Sequence, residues 1–116
     1  MFGKHIVIDV KNIKDAKLLY LCDCEELENN FFCNVPDILD LNVIRQCRNQ
    51  FKPFGATILY LLSTSHCSIH TFVEERCFTM DVYTCNEETN LLIILDYIKD
   101  FWNISDKDME FKLLER

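Results

Sequence analysis

Two glycines and two prolines are all that this 116-residue chain has of either. So few breakers exclude a collagen-like or low-complexity polymer and leave few forced ends to regular structure. Long apolar runs are missing too. No segment approaches the roughly 18 consecutive apolar residues of a spanning helix, so no membrane partner is expected. Residues Met1 to His5 run straight into a strand-like segment without the apolar stretch of a secretory signal. Positive charge is scarce: 12 Lys and Arg stand against 19 Asp and Glu, a formal charge of -7. Such a field repels phosphates, which argues against a nucleic-acid partner, and it favours cationic small molecules.

What is abundant is apolar and sulfur-bearing. Nearly half of the chain, 49%, is hydrophobic, enough to make disorder untenable. Seven cysteines, an odd number without a secretory signal, point to reduced thiols in a cytoplasm. Cys22 and Cys24 are separated by one residue, closer than zinc knuckles allow, and no histidine pair has ligand spacing on a helix; no metal is expected. The length suits one domain over residues 1–116, small enough that a dimer is a natural supplement.

Periodicity gives the order β-α-β-β-β-β-α-β. Ile6, Ile8 and Val10 alternate in a first strand, residues 5–11. Residues 15–33 suggest a helix, which Asn34-Val35-Pro36-Asp37 breaks, with a short further helical turn there. Strand character returns over 41–50 and, after the turn Lys52-Pro53-Phe54-Gly55, over 56–63. Residues 67–73 and 77–85 form a hairpin around Glu74-Glu75-Arg76. Leu91, Ile94, Leu95, Ile98, Phe101 and Trp102 recur at helical spacing, with Glu87 and Glu88 at the expected helix start. Met109, Phe111 and Leu113 close the chain as a strand. The simplest layered solution is an α+β fold, an antiparallel sheet with two helices packed on one face as a two-layer sandwich.

Serine, histidine and cysteine meet in this hairpin. With a three-residue loop at 74–76, Val73 pairs with Cys77 and the register carries Ser65 opposite Cys85, with Cβ atoms roughly 5 Å apart. His70 lies five residues from Ser65, so alternation puts it on the other face unless a turn or bulge at 64–66 corrects the phase. Each feature also has a plain reading: a serine-rich turn, a small core cysteine, a structural histidine. A Ser/His hydrolase is the generic alternative, but the Gly-x-Ser-x-Gly elbow is missing.

Together these residues resemble the prokaryotic-type S-adenosylmethionine decarboxylase proenzymes over nearly the whole chain. Gly3-Lys4-His5 looks like the family's Gly-Arg/Lys-His start, and Phe51-Lys52-Pro53-Phe54-Gly55 like the segment before its central strand. Ser65-His66-Cys67-Ser68-Ile69-His70-Thr71-Phe72-Val73-Glu74 resembles its Ser-His-x-(Ser/Thr)-Ile-His-Thr-Trp-Pro-Glu signature. Asp81-Val82-Tyr83-Thr84-Cys85 is similar to its Asp-(Val/Leu)-(Phe/Tyr)-Thr-Cys motif. Thr64 stands where the family usually has Glu.

The resemblance implies a role for each matched position. Ser65 is the self-processing nucleophile; it cleaves the Thr64–Ser65 bond and becomes a pyruvoyl group, the cofactor. His70 is the processing base and Cys85 the later proton donor. Thr57 takes the place of a serine that assists processing. Phe51 and Glu74 hold the substrate nucleoside, by stacking and through the ribose hydroxyls. The family's active sites lie at a dimer interface, which implies a homodimer. The expected activity is decarboxylation of S-adenosylmethionine to the aminopropyl donor for spermidine. A pyruvoyl-dependent ornithine or arginine decarboxylase on the same scaffold, and an uncleaved regulatory homologue, are the alternatives.

Overall fold

Alternating apolar residues build one sheet whose two faces have opposite characters. The computed structural model describes residues 2–116. Six strands, β1 (Lys4–Val10), β2 (Val43–Gln50), β3 (Ala56–Leu62), β4 (Ser65–Phe72), β5 (Cys77–Thr84) and β6 (Met109–Glu115), hydrogen-bond in the order β2-β3-β4-β5-β1-β6. Every neighbouring pair is antiparallel. Ile6, Ile8, Ile58, Ile69, Phe78 and Val82 share one face and are fully buried or nearly so. The opposite face is open. It carries polar groups such as His66 and Asp81 beside the exposed Leu59 and Leu61.

The helices cover the buried face, as the two-layer expectation requires, but the first is in pieces. It runs as α1 (Leu18–Cys22), α2 (Cys24–Leu27), a π-helical turn at Glu28–Phe32 and α3 (Asn34–Ile38). The first break is Asp23, which is extended and accepts a hydrogen bond from the Glu26 N–H at 3.1 Å, a new N-cap. The π-turn is anchored by its first residue. Glu28 accepts from Arg48 at 2.6 and 2.8 Å and from the Tyr60 hydroxyl at 2.7 Å. Pro36 sits in the first turn of α3, where its missing N–H has no intrahelical partner to lose. The second helix is α4 (Ile94–Trp102), entered by a 3-10 turn at Leu91–Ile93 and capped by Asn90. Glu87 and Glu88 therefore precede the helix rather than open it. Leu21, Leu27, Phe31, Phe32, Ile98 and Trp102 bury their side chains completely between the helices and the sheet.

One register differs from the sequence-based expectation. The β4–β5 connection has four residues, Val73–Arg76, not three, so Phe72 pairs with Cys77 and Ser65 with Thr84. Arg76 adopts the left-handed region (φ 52°), and its N–H reaches the Val73 carbonyl at 3.0 Å. The extra turn residue moves the whole pairing by one place. Among the described residues no helix is long and apolar enough to cross a membrane.

Candidate active site

Ser65 begins β4, directly after the turn at 63–64 that reverses β3. It lies on the helix side of the sheet and is only 8% exposed. Its hydroxyl donates to Thr84 Oγ1 at 3.0 Å, and that oxygen also accepts from the Asn86 N–H at 3.1 Å. Cys85 follows Thr84 just beyond the end of β5, exposed. Serine and cysteine thus share one rim of the sheet, but with Thr84 between them instead of in direct opposition. Thr64, whose carbonyl forms the bond to Ser65, is exposed in the turn.

A second cluster lies toward the other end of β4. Thr57 and His70 face each other across β3 and β4 on the open side, with Thr57 Oγ1 3.1 Å from His70 Nδ1. Phe51, Thr57, His70 and Glu74, together with Phe54 and Glu75, line a cavity of about 420 Å³. The loop that carries Phe51 is pinned to both layers. The Phe51 N–H reaches the Gly55 carbonyl at 2.8 Å, and the Gly55 N–H reaches the Cys22 carbonyl at 2.9 Å. Gly55 has φ +115°, a backbone state that a side chain would strain. Thr71 Oγ1 accepts from the Ala56 N–H at 2.9 Å and donates to the Leu21 carbonyl at 2.8 Å. These bonds fix the cavity wall to α1.

The structure brings Phe51, Thr57, His70 and Glu74 together and leaves Ser65 and Cys85 apart from them. β4 pairs without interruption on both sides, so the bulge at 64–66 that would have rephased His70 does not form. Five residues of continuous strand separate Ser65 from His70 by about 16 Å, on opposite faces.

A third group escaped the sequence reading. His5 on β1, His66 on β4 and Asp81 on β5 converge on the open face. Asp81 Oδ2 lies 2.7 Å from His5 Nε2 and 3.2 Å from His66 Nε2, while Oδ1 is hydrogen-bonded to Ser68 Oγ. Burial alone would raise the Asp81 pKa; hydrogen bonds from Ser68, His5 and His66 outweigh it and hold the carboxyl below its ordinary value. One ligand atom from each of the three lies within 4.8 Å of the others, a donor set that nitrogen- and oxygen-preferring metals use. Here the carboxylate already joins both imidazoles. The signal for this group was strand parity: His66, Ser68, Asp81 and Tyr83 fall at alternate positions of two paired strands.

The model of the S-adenosylmethionine decarboxylase family matches residues 4–116 of the chain. A Bacillus cereus protein named S-adenosylmethionine decarboxylase proenzyme 2 is 38% identical over 97 residues, covering 84% of this chain and 76% of its own length. Its namesake from another strain of Bacillus cereus is 36% identical over 115 residues, 99% of this chain and 89% of its own. The crystal structure of the adenosylmethionine decarboxylase from Aquifex aeolicus superposes with a TM-score of 0.81 at 31% identity, over 99% of this chain and 90% of that one.

Proposed function

The chain belongs to the S-adenosylmethionine decarboxylase family, and on that premise we propose that it is a proenzyme that cuts itself at Thr64–Ser65 and then decarboxylates S-adenosylmethionine. The observation that carries the reading is the cavity that gathers Phe51 and Thr57 from one stretch of the chain and His70 and Glu74 from another. It offers an aromatic ring, a base with an orienting hydroxyl, and a carboxylate, which are the groups an adenosine with an attached amino acid requires.

Self-cleavage needs no group from outside the protein except water. The Ser65 hydroxyl adds to the Thr64 carbonyl, the amide C–N bond breaks, and the acyl group moves from nitrogen to oxygen as an ester. A tight turn supplies the proximity such an addition needs. His70 of a second copy of the chain then removes the Ser65 Cα proton and the carboxylate of Thr64 leaves. Hydrolysis of the resulting enamine releases ammonia and leaves a pyruvoyl group at residue 65. In the tautomer whose Nδ1–H donates to Thr57 Oγ1, 3.1 Å away, His70 keeps its Nε2 lone pair free for this task. Ser65 fits the role of cofactor source by its place at the first position of a strand, where cleavage opens a turn and leaves the ladder intact.

The pyruvoyl ketone supplies the electron sink for loss of carbon dioxide. The remaining work falls to side chains. Phe51 stacks on the adenine and attracts the sulfonium, Glu74 accepts from the ribose hydroxyls, and Cys85 returns a proton to the substrate carbon.

Ser65 and His70 cannot meet within one chain, about 16 Å apart on opposite faces of one strand. A second copy of the chain, stacked on the open face where Leu59 and Leu61 are 44% and 52% exposed, supplies the missing partner. We infer that the active unit is a homodimer in which the exposed turn that carries the Thr64–Ser65 bond, and the exposed Cys85 on the same rim, of one protomer reach the cavity of the other. The seven free thiols of each chain suit the reducing cytoplasm. The test is release of carbon dioxide from S-adenosylmethionine, ornithine and arginine by cleaved protein. S-adenosylmethionine should be strongly preferred; a preference for either amino acid would overturn the substrate.

A further inference from the structure

Tyr83, near the end of β5, is fixed in position from several sides. Its ring stacks with His66, centroids 5.7 Å apart and planes at 29°, and meets His5 edge-on at 5.7 Å. The Arg116 guanidinium lies 6.0 Å from the ring centroid. Gly3 approaches so closely that a Cβ there would stand 2.9 Å from the Tyr83 hydroxyl. His5 and His66 are themselves tied to Asp81. Held in this way, the hydroxyl lies 3.5 Å from Cys85 Sγ, within hydrogen-bond range for sulfur. Cys85 stands otherwise exposed, one residue past its strand.

We propose that Tyr83 is a positioning residue for the proton donor: it aims Cys85 Sγ at the substrate carbon and stabilises the thiolate left behind. The inference rests on the reading of Cys85 as that donor. Before the transfer, the thiol S–H donates to the tyrosine oxygen. In the transfer the S–H bond breaks, and the proton joins the electron pair that carbon dioxide left on the substrate carbon. The Tyr83 O–H, which donates to the Phe2 carbonyl at 3.4 Å, then turns to the thiolate and donates to it until water reprotonates the sulfur. Its hydrogen bond to Cys85 raises the tyrosine pKa, with Arg116 opposing, so the phenol keeps its own proton.

The consequence is fidelity. A free thiol one residue beyond the sheet samples several directions, and the competing acceptor is the former ketone carbon of residue 65. Protonation there leaves the amine nitrogen on residue 65, which becomes alanine, while hydrolysis releases the substrate skeleton as an aldehyde. Each such event kills one site. The hydroxyl both speeds and steers the wanted transfer, so its loss slows turnover and raises the share of turnovers that fail.

The experiment compares wild type, Tyr83→Phe, Cys85→Ala and the double variant. Phenylalanine keeps the ring packing on His5 and His66 and removes the hydroxyl, with its contacts to Cys85 and, at 3.4 Å, to the Phe2 carbonyl. Tyr83→Phe should self-cleave fully, keep KM, lose roughly tenfold in kcat (the low end for a hydrogen bond to a charged group) and gain several-fold in alanine at residue 65 per turnover, read by mass spectrometry. The double variant should be no worse than Cys85→Ala alone, because Tyr83 acts only through that sulfur. Wild-type kcat and alanine yield in Tyr83→Phe, or additive losses in the double variant, would overturn the assignment while the decarboxylase reading stands. A wild type that never cleaves sinks both. If Tyr83→Phe itself does not cleave, the hydroxyl is needed for folding or processing, and the positioning role is rejected.

Discussion

Mixing two dead variants decides whether one chain or two build the site. On the proposed mechanism Ser65→Ala lacks the nucleophile and His70→Ala the base, so each alone should remain full length. In one chain these residues lie on opposite faces of β4, about 16 Å apart, far beyond proton-transfer reach. Across a two-fold interface they belong to different sites. Co-expressed in equal amounts, about half of the dimers carry one chain of each kind. In such a dimer the His70→Ala chain offers an intact Ser65 to the intact His70 of its partner. The other site lacks both. About half of the His70→Ala chains, and about a quarter of all chains, should therefore be cut, with none of the Ser65→Ala chains cleaved. Differently tagged chains and an intact-mass spectrum read this directly, and decarboxylation should recover to about a quarter of wild type. Two full-length masses and no activity from a mixture shown to contain heterodimers would refute the shared site.

Two further outcomes follow from other parts of the structure. Phe51→Ala should weaken S-adenosylmethionine use by roughly 1–3 kcal/mol, the worth of an aromatic–base stack, and Glu74→Gln should hurt less than Glu74→Ala because the amide keeps an acceptor; steady-state kinetics on cleaved protein check both. Glu28→Ala should cost ~1–3 kcal/mol in denaturant unfolding, since it strands the Tyr60 hydroxyl and frees Arg48. Burial would raise the Glu28 pKa, but its bonds from Arg48 and Tyr60 win and lower it. The pair's contribution is thus present above the ordinary glutamate value near 4.5 and disappears as pH falls through the lower folded value. The acid-unfolding midpoint should shift upward in Glu28→Gln, and an unchanged midpoint would remove Glu28 from this role.

The strands were legible because period-2 alternation is a local property: Ile6, Ile8 and Val10, or Cys77 through Thr84, show it without help from neighbours. The first helix was less so. Asp23 and the Glu28–Arg48–Tyr60 anchor break it for reasons that lie in capping and in strands read much later in the chain. The hairpin register failed on a single turn residue, Val73, because apolar residues in a loop look like strand. Phe51, Thr57, His70 and Glu74 were named from motif resemblance, and the fold then placed them around one cavity. The His5–His66–Asp81 group stayed hidden because its members are 61 and 15 residues apart and meet only through pairing across three strands.

The central claim is that this chain converts its own Ser65 into its cofactor, and the intact mass of the purified protein tests it most directly. The account predicts two species, residues 1–64 and a chain of residues 65–116 whose N-terminus is a pyruvoyl group, resistant to Edman degradation and reactive toward borohydride. A single 116-residue mass that persists through prolonged incubation, while Ser65→Ala gives the same pattern, would contradict it.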